Sequence, residues 1–488
     1  MSSLDFIVLF AFLAGMIGIG YWSSRRMTNS AEMFAAGGKS PWWMSGISAY
    51  MTMFSAGTFV VWGGVAFRLG VVAITVCVSM GIAALIAGYF FAGKWKESGV
   101  SSAAEFVGER YGQGVLQMYT WLGIVTRIIG VSVALYSVSV IVSSLIELSP
   151  GSMFANEHGN LSVNWLILLA GTVIVLYTFL GGLWAVLITD FVQFAVLMLS
   201  VLIMVPMILT LGGGAEQILA NLPADHLSIF NSGYSQIFIV GWILIHVFKV
   251  GGEWAFVQRH LCVESPSDAR KASYLFGALY IVTPILWMLP PIVYRTINPG
   301  ANPEEAYILS AQAVLPIGML GLVVSSMLAA TASMASSELN VFSGALTTEM
   351  YGKRINPNAS DAKLMSVGRV ITAMLGMLVM AISISIPYLG GAEKLIVSIT
   401  SLFVGPMVMP TLWALFVNKV TKLHAYLTVV VTAGTGFLLQ SVLSQFEWIA
   451  ANMSVLNQAV GLLVPLAMLM VADAIMKKGT GPSLATAA

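Results

Sequence analysis

The chain has 488 residues, of which 58% are hydrophobic and 9% charged, with a net charge of +1; its mean hydropathy is +0.89. A soluble domain carries roughly a quarter of its residues charged, so this composition excludes one and makes a lipid bilayer the solvent for most of the surface. The near-zero net charge leaves no electrostatic footprint for nucleic acid. The two cysteines, Cys77 in an apolar run and Cys262 in a basic loop, supply no disulfide framework.

Apolar stretches long enough to cross ~30 Å of hydrocarbon fall at 4–22, 42–67, 70–93, 115–147, 163–180, 184–211, 234–258, 273–297, 314–349, 364–386, 390–416, 423–442 and 453–474, numbered here as spans 1 to 13. Their length points to an all-α integral membrane protein, because only a helix satisfies its own backbone in lipid and a barrel shows short alternating segments. Span 1 has Asp5 before it and Arg25, Arg26 and Lys39 after it, the reverse of a cleaved signal peptide, and reads as a retained helix with its N-terminus outside. On that threading sixteen lysines and arginines, Arg259 among them, fall on inner loops. Only Arg68, Arg295 and Lys394 fall on outer ones. This asymmetry predicts a multi-pass protein of the plasma membrane with a cytoplasmic C-terminus.

Span 2 carries Ser55-Ala56-Gly57-Thr58 at its middle and Gly63-Gly64 beyond. Span 7 carries Gly251-Gly252 between Lys249 and Glu253. Five helices apart, the two cross in opposite directions, as corresponding interrupted helices of an inverted repeat do. The same glycines also serve close helix packing, and no repeat is visible in the residues themselves.

Ionisable groups inside spans each cost ~2.5–3.5 kcal/mol on insertion scales and have a partner or a purpose. Here they are Arg127 in span 4, Asp190 in span 6, Lys249 and Glu253 in span 7, and Glu338 in span 9. Lys249 and Glu253, spaced i, i+4, either neutralise one another or leave Lys249 to meet a substrate or a coupling ion. Span 9 gathers Ser333, Ser336 and Ser337 on one side next to Glu338. Hydroxyls, carbonyls and one carboxylate suit a dehydrated monovalent cation, sodium above all, although serines in membrane helices also bond back to their own backbone.

Tyr177-Thr178-Phe179-Leu180-Gly181-Gly182-Leu183-Trp184-Ala185, followed by Thr189-Asp190-Phe191-Val192-Gln193, resembles the signature of the sodium:solute symporter family. That family includes carriers of sugars, proline, sialic acid, pantothenate and iodide. Supporting matches are Ala36-Gly37-Gly38-Lys39-Ser40-Pro41-Trp42-Trp43, Gln258-Arg259, Pro284, Leu339-Asn340 and Glu349-Met350-Tyr351. The resemblance implies a LeuT-like core of two inverted five-helix repeats, over 42–211 and 234–416. Around it would stand a first helix and loop over 1–41, an external loop over 212–233, and two peripheral helices with a short tail over 417–488.

Residue by residue, the resemblance places a common sodium site at the carbonyls of Met51, Phe54 and Ala330 and the hydroxyl of Ser333, with Met334 standing where a second hydroxyl belongs. A second sodium site, described in some members, would take Asp190, Ser333, Ser336 and Ser337, all present. The substrate positions fall at Ser55, Thr58, Trp62, Cys77, Met80, Arg127, His246, Lys249, Glu253 and Tyr280. Cys77, Met80 and Tyr280 stand where sugar carriers place polar contacts, and Lys249 stands where they place an aromatic inner gate. Ser55, Thr58 and Arg127 resemble the group that holds the carboxylate in sialic acid carriers, and a guanidinium beside an unwound helix suits an anion. Arg127 would serve equally by snorkelling, or in a pair with a carboxylate of a neighbouring helix. Trp62, Trp254 and Met80 are candidates for an apolar wall.

These readings converge on sodium-driven symport of a small organic solute. A carboxylate such as a sugar acid or sialic acid comes first, and a neutral sugar or polyol second. A membrane enzyme or a solute sensor on the same fold is the competing class. Gly37-Gly38-Lys39-Ser40 lacks the first glycine of a phosphate loop, since Met33 stands there, and His158, His226, His246, His260 and His424 show no metal spacing. No acid, base and nucleophile cluster. The segment after span 13, Asp473 to Ala488, is short for a sensor's output domain, and no protein partner is called for.

Overall fold

The computed structural model describes residues 1–24, 38–149, 151–157, 159–178 and 183–479. Arg25, Arg26, Ala36, Gly37, His158 and the Phe179–Gly182 stretch of the signature lie outside the described residues. Regular structure among the described residues is helical apart from three isolated bridges.

Nine described helices are long and apolar enough to cross a membrane, and two bent pairs bring the number to eleven. Spans 1 and 5 correspond to the shorter apolar helices Ser3–Ile19 and Val163–Leu176, so the thirteen expected are not all reached by length. The bent pairs are the two spans read as interrupted. Span 2 is Trp42–Met53 plus Thr58–Leu69 with a 60° bend, and span 7 is Gln236–Gly252 plus Trp254–Leu261 with a 53° bend. Each break is a residue in extended conformation, Phe54 (φ −98°, ψ 127°) and Glu253 (φ −64°, ψ 137°).

Local chemistry explains both breaks. At span 2 the freed amides go to hydroxyls: Ala56 N donates to Thr331 Oγ1 at 3.1 Å, Gly57 N to Ser55 Oγ at 3.2 Å and Ser55 N to Thr58 Oγ1 at 3.4 Å. At span 7 the indole of Trp95 donates to the carbonyl of Gly251 at 2.6 Å. A side chain on Gly252 would run into Val408 of span 11, so that glycine serves close packing at the break as well.

One boundary differs from expectation. Span 9 starts at Met319 rather than 314, because Pro316 and left-handed Gly318 (φ +92°) separate a short helix, Ala306–Val314, from Met319–Ala345. Span 1 docks here: Asp5 Oδ1 accepts from Gly318 N at 2.8 Å and Gly321 N at 3.0 Å, capping the helix that carries the serines.

Spans 2, 3, 7 and 8 pack on one another as one group, and spans 4, 5, 9 and 10 as a second. Spans 6 and 11 join the groups, and spans 12 and 13 stack on the flank of span 11. Each group takes two adjacent helices from each half of the core, as two interlocked inverted repeats do.

Candidate functional site

The breaks of spans 2 and 7 face spans 4, 9 and 11 across a cavity. Ser55, Thr58, Trp62, Cys77, Met80, Arg127, His246, Lys249 and Tyr280 all line it, together with Met334 and Glu338. Glu253 lines a second, adjoining cavity, and Arg127, Lys249 and Glu338 border both.

The charges are wired differently from the i, i+4 expectation. Arg127 donates from Nη1 to Glu253 Oε2 at 2.7 Å and from Nε to Glu338 Oε1 at 3.0 Å, and its Nη2 also reaches Glu338. Lys249 and Glu253 form no ion pair with one another. The helix ends between them, and the extended Glu253 turns its carboxylate to span 4. Arg127 is thus doubly neutralised. Lys249 faces both cavities, and among the described residues its ammonium makes no ion pair.

The neutral groups are also oriented. Ser55 and Thr58 each accept a backbone amide at the break, which leaves both hydroxyl protons free to donate. His246 Nδ1 lies 2.9 Å from the Trp242 carbonyl; donating there, the neutral ring keeps Nε2 as an acceptor. Tyr280 packs on Tyr50 at 4.7 Å, and Tyr50 is fixed by Thr283 at 2.8 Å and Trp287 at 2.9 Å.

Trp242 is a lining residue that sequence reasoning missed. Its indole Nε1 is buried without a partner, and its spacing of four and seven from His246 and Lys249 puts the three on one helix face. Trp254 lines only the second cavity, stacked on Phe342 at 5.7 Å.

Asp190 is 1% exposed and accepts from Ser333 Oγ at 2.5 Å and Ser48 Oγ at 2.6 Å. Ser336 Oγ donates to the Ser333 carbonyl at 3.0 Å, and Ser337 Oγ accepts from Arg259 Nη2 at 3.2 Å. Arg259 therefore does not sit on an inner loop. It lies in Trp254–Leu261, fully buried, with Nε 3.3 Å from Ser48 Oγ. Cys262, also expected in a loop, is buried, and both cysteines are free.

The donor chemistry of this second cluster, one carboxylate and three buried hydroxyls, fits sodium. At the common site Met51, Phe54, Ala330 and Ser333 are all buried. Phe54 N donates to the Met51 carbonyl at 3.0 Å, and Met334 lines the solute cavity. A soft sulfur is a poor ligand for a hard cation.

At the rim on the side of residue 1, Arg68 pairs with Glu393 at the start of span 11. Tyr234 donates to the same carboxylate at 2.7 Å, and Tyr136 donates to Glu304 at 3.3 Å. Burial raises the Glu304 carboxyl above its ordinary value, and the Tyr136 hydrogen bond offsets part of that.

A model of the sodium:solute symporter family matches residues 33–431. The chain is 23% identical to a sodium/sialic acid symporter of Aliivibrio fischeri, over 89% of this chain and 87% of that protein. It is 27% identical to a sodium/glucose cotransporter of Vibrio parahaemolyticus, over 88% and 84%. Among solved structures, a sodium-coupled sialic acid symporter in a substrate-bound outward-open state superposes with a TM-score of 0.78 at 20% identity, over 97% and 98% of the two chains. The nucleobase-cation symporter Mhp1 gives 0.60 at 14% identity, over 94% and 98%. The family match over most of the chain, with bent spans 2 and 7 facing one solute cavity, establishes a sodium-driven transporter rather than an enzyme: the chain belongs to the sodium:solute symporter family.

Proposed function

We propose that this symporter carries a small carboxylate-bearing solute of the sugar acid or sialic acid class, and that Lys249 receives the carboxylate. The observation that carries this reading is the division of labour between the two cations of the cavity. Arg127 is held by Glu253 and Glu338, while Lys249 has no counter-charge in an ion pair. Ser55 and Thr58 donate their free hydroxyl protons to the same carboxylate, beside the start of the second half of span 2. His246 Nε2 accepts from a hydroxyl or amide of the solute, and Trp62, Met80 and Tyr280 cover its apolar side.

Charge balance supports the same class. Among the described residues, the cavities and the Asp190 cluster together hold three cations, Arg127, Lys249 and Arg259, against three anions, Glu253, Glu338 and Asp190. One sodium and one carboxylate together leave that balance unchanged, which limits the cost of burying either. Relatives named for sialic acid and for glucose fit a polyhydroxylated solute. The glucose relative keeps a neutral sugar or polyol as the second reading.

Sodium is held mainly at Asp190, Ser333, Ser336 and Ser337, and less firmly at the common site, where Met334 replaces an oxygen. The two repeats take 42–211 and 234–416, and the basic loops set the N-terminus outside a plasma membrane and the C-terminus in the cytoplasm.

Proteoliposome uptake under an inward sodium gradient tests this. A labelled sugar acid accumulates and a neutral sugar of the same size does not. Lys249→Gln raises the half-saturating solute concentration at least tenfold, in line with ~1.5–3 kcal/mol for a charge-assisted hydrogen bond, while the sodium-induced thermal shift persists. Equal accumulation of both solutes would overturn the carboxylate reading.

A further inference from the structure

We infer that Arg259 is a tethered counter-cation of the Asp190 site which sodium must displace, so that ion occupancy is transmitted to the second half of span 7. The inference rests on the proposed assignment of sodium to Asp190.

Arg259 is anchored to its own helix, with Nη1 on the Ala255 carbonyl at 3.2 Å and on Gln258 Oε1 at 2.9 Å. Its other two contacts leave the helix: Nη2 donates to Ser337 Oγ at 3.2 Å in span 9, and Nε to Ser48 Oγ at 3.3 Å in span 2. Ser48 in turn donates to Asp190 at 2.6 Å. The guanidinium therefore stands one hydroxyl away from the carboxylate, bonded to a serine of the sodium set, instead of resting on the carboxylate itself.

That spacing has an electrostatic consequence. A direct pair would neutralise Asp190 and hold it closed, whereas an indirect one leaves the carboxylate oxygens bridged only by hydroxyl protons. Hydroxyls rotate at small cost. When Ser333 and Ser48 turn, their oxygens and those of Asp190 offer lone pairs to an ion. Sodium bound there lies within a few ångströms of a buried positive charge, in a medium where like charges repel strongly. Ser337 would have to serve the ion and Arg259 at once. The guanidinium yields because sodium can reach the carboxylate directly.

Arg259 is carried by Trp254–Leu261, the half-helix that begins at the Glu253 break. Its bonds to Ser337 and Ser48 tie this half-helix to spans 9 and 2. Sodium binding releases those ties at one end of the half-helix, while Glu253 stays bonded to Arg127 at the other. The ion thereby acts on the part of span 7 that lies beside the second cavity, with no contact between sodium and solute.

The test is thermal unfolding of the purified full chain against sodium chloride at pH 8, with N-methylglucamine chloride holding ionic strength constant. Arg259→Gln should lower the half-saturating sodium concentration on the order of tenfold, as expected for removing a nearby buried like charge. Arg259→Lys keeps the charge but cannot bridge Ser48 and Ser337, and should lower it severalfold. It also supplies the answer if the glutamine variant does not fold. Asp190→Asn should abolish the saturable shift. An Arg259 that merely braces the fold predicts weaker sodium binding on its removal. An unchanged or raised half-saturation in the folded variants therefore overturns the inference while the Asp190 site stands. A wild-type sodium response in Asp190→Asn overturns the site assignment itself.

Discussion

Arg127 Nη1 donates to Glu253 Oε2 at 2.7 Å, and through this bond the middle of span 4 grips the residue at which span 7 changes direction. The same guanidinium holds Glu338 of span 9. Three helices thus meet at one side chain, where the solute cavity and the second cavity adjoin.

Removing that guanidinium strands two carboxylates in the interior. Arg127→Gln is expected to destabilise the protein by about 3–5 kcal/mol, the range for breaking a buried pair from one side. Arg127→Lys should cost less, because it keeps the charge but loses the planar fork that spans both carboxylates. Thermal unfolding in detergent checks the order: wild type highest, lysine intermediate, glutamine lowest.

Met334 tests the common sodium site from the opposite direction. Met334→Ser supplies a hydroxyl where the thioether stands, and one more oxygen ligand is worth about 1 kcal/mol net, or roughly fivefold in affinity. The half-saturating sodium concentration for uptake should fall by that factor. In an Asp190→Asn background the same change should restore part of a sodium-induced thermal shift. No response in either background would show that residue 334 does not border a sodium site.

The Tyr136–Glu304 contact at the rim gives a pH signature. Burial raises the folded-state value of the Glu304 carboxyl above its unfolded one. Between the two values the folded protein binds more protons, so stability is higher at the acid end of that window and falls as pH rises through it. Glu304→Gln removes this contribution, and its unfolding temperature should vary less with pH just above the ordinary carboxylate range. Parallel profiles for the two proteins would show that Glu304 titrates normally.

The residues that carry the fold differ in how much they disclose alone. Ser55-Ala56-Gly57-Thr58 and Gly251-Gly252 mark the two breaks because glycine and hydroxyl residues interrupt otherwise apolar helices, a local property. Lys249 and Glu253 show the limit of that reasoning. Their spacing suits a pair only if the helix continues between them, and it ends there. Arg259 carries the same lesson, since proximity to the end of span 7 reads as a loop, while the bent half-helix buries it between spans 2 and 9.

Apolar length, charge asymmetry and the motif around Gly181-Gly182 and Asp190 were enough, read as sequence, for a helical membrane symporter of the sodium:solute family. They suffice because lipid imposes one solution on a long apolar segment and because that motif is local. The partners of Arg127, the lack of a direct ion pair at Lys249, the facing of Trp242 and the placing of Arg259 one hydroxyl from Asp190 were decided only by the tertiary structure. Each depends on which helices are neighbours and how far spans 2 and 7 bend, quantities set by packing between segments tens to hundreds of residues apart.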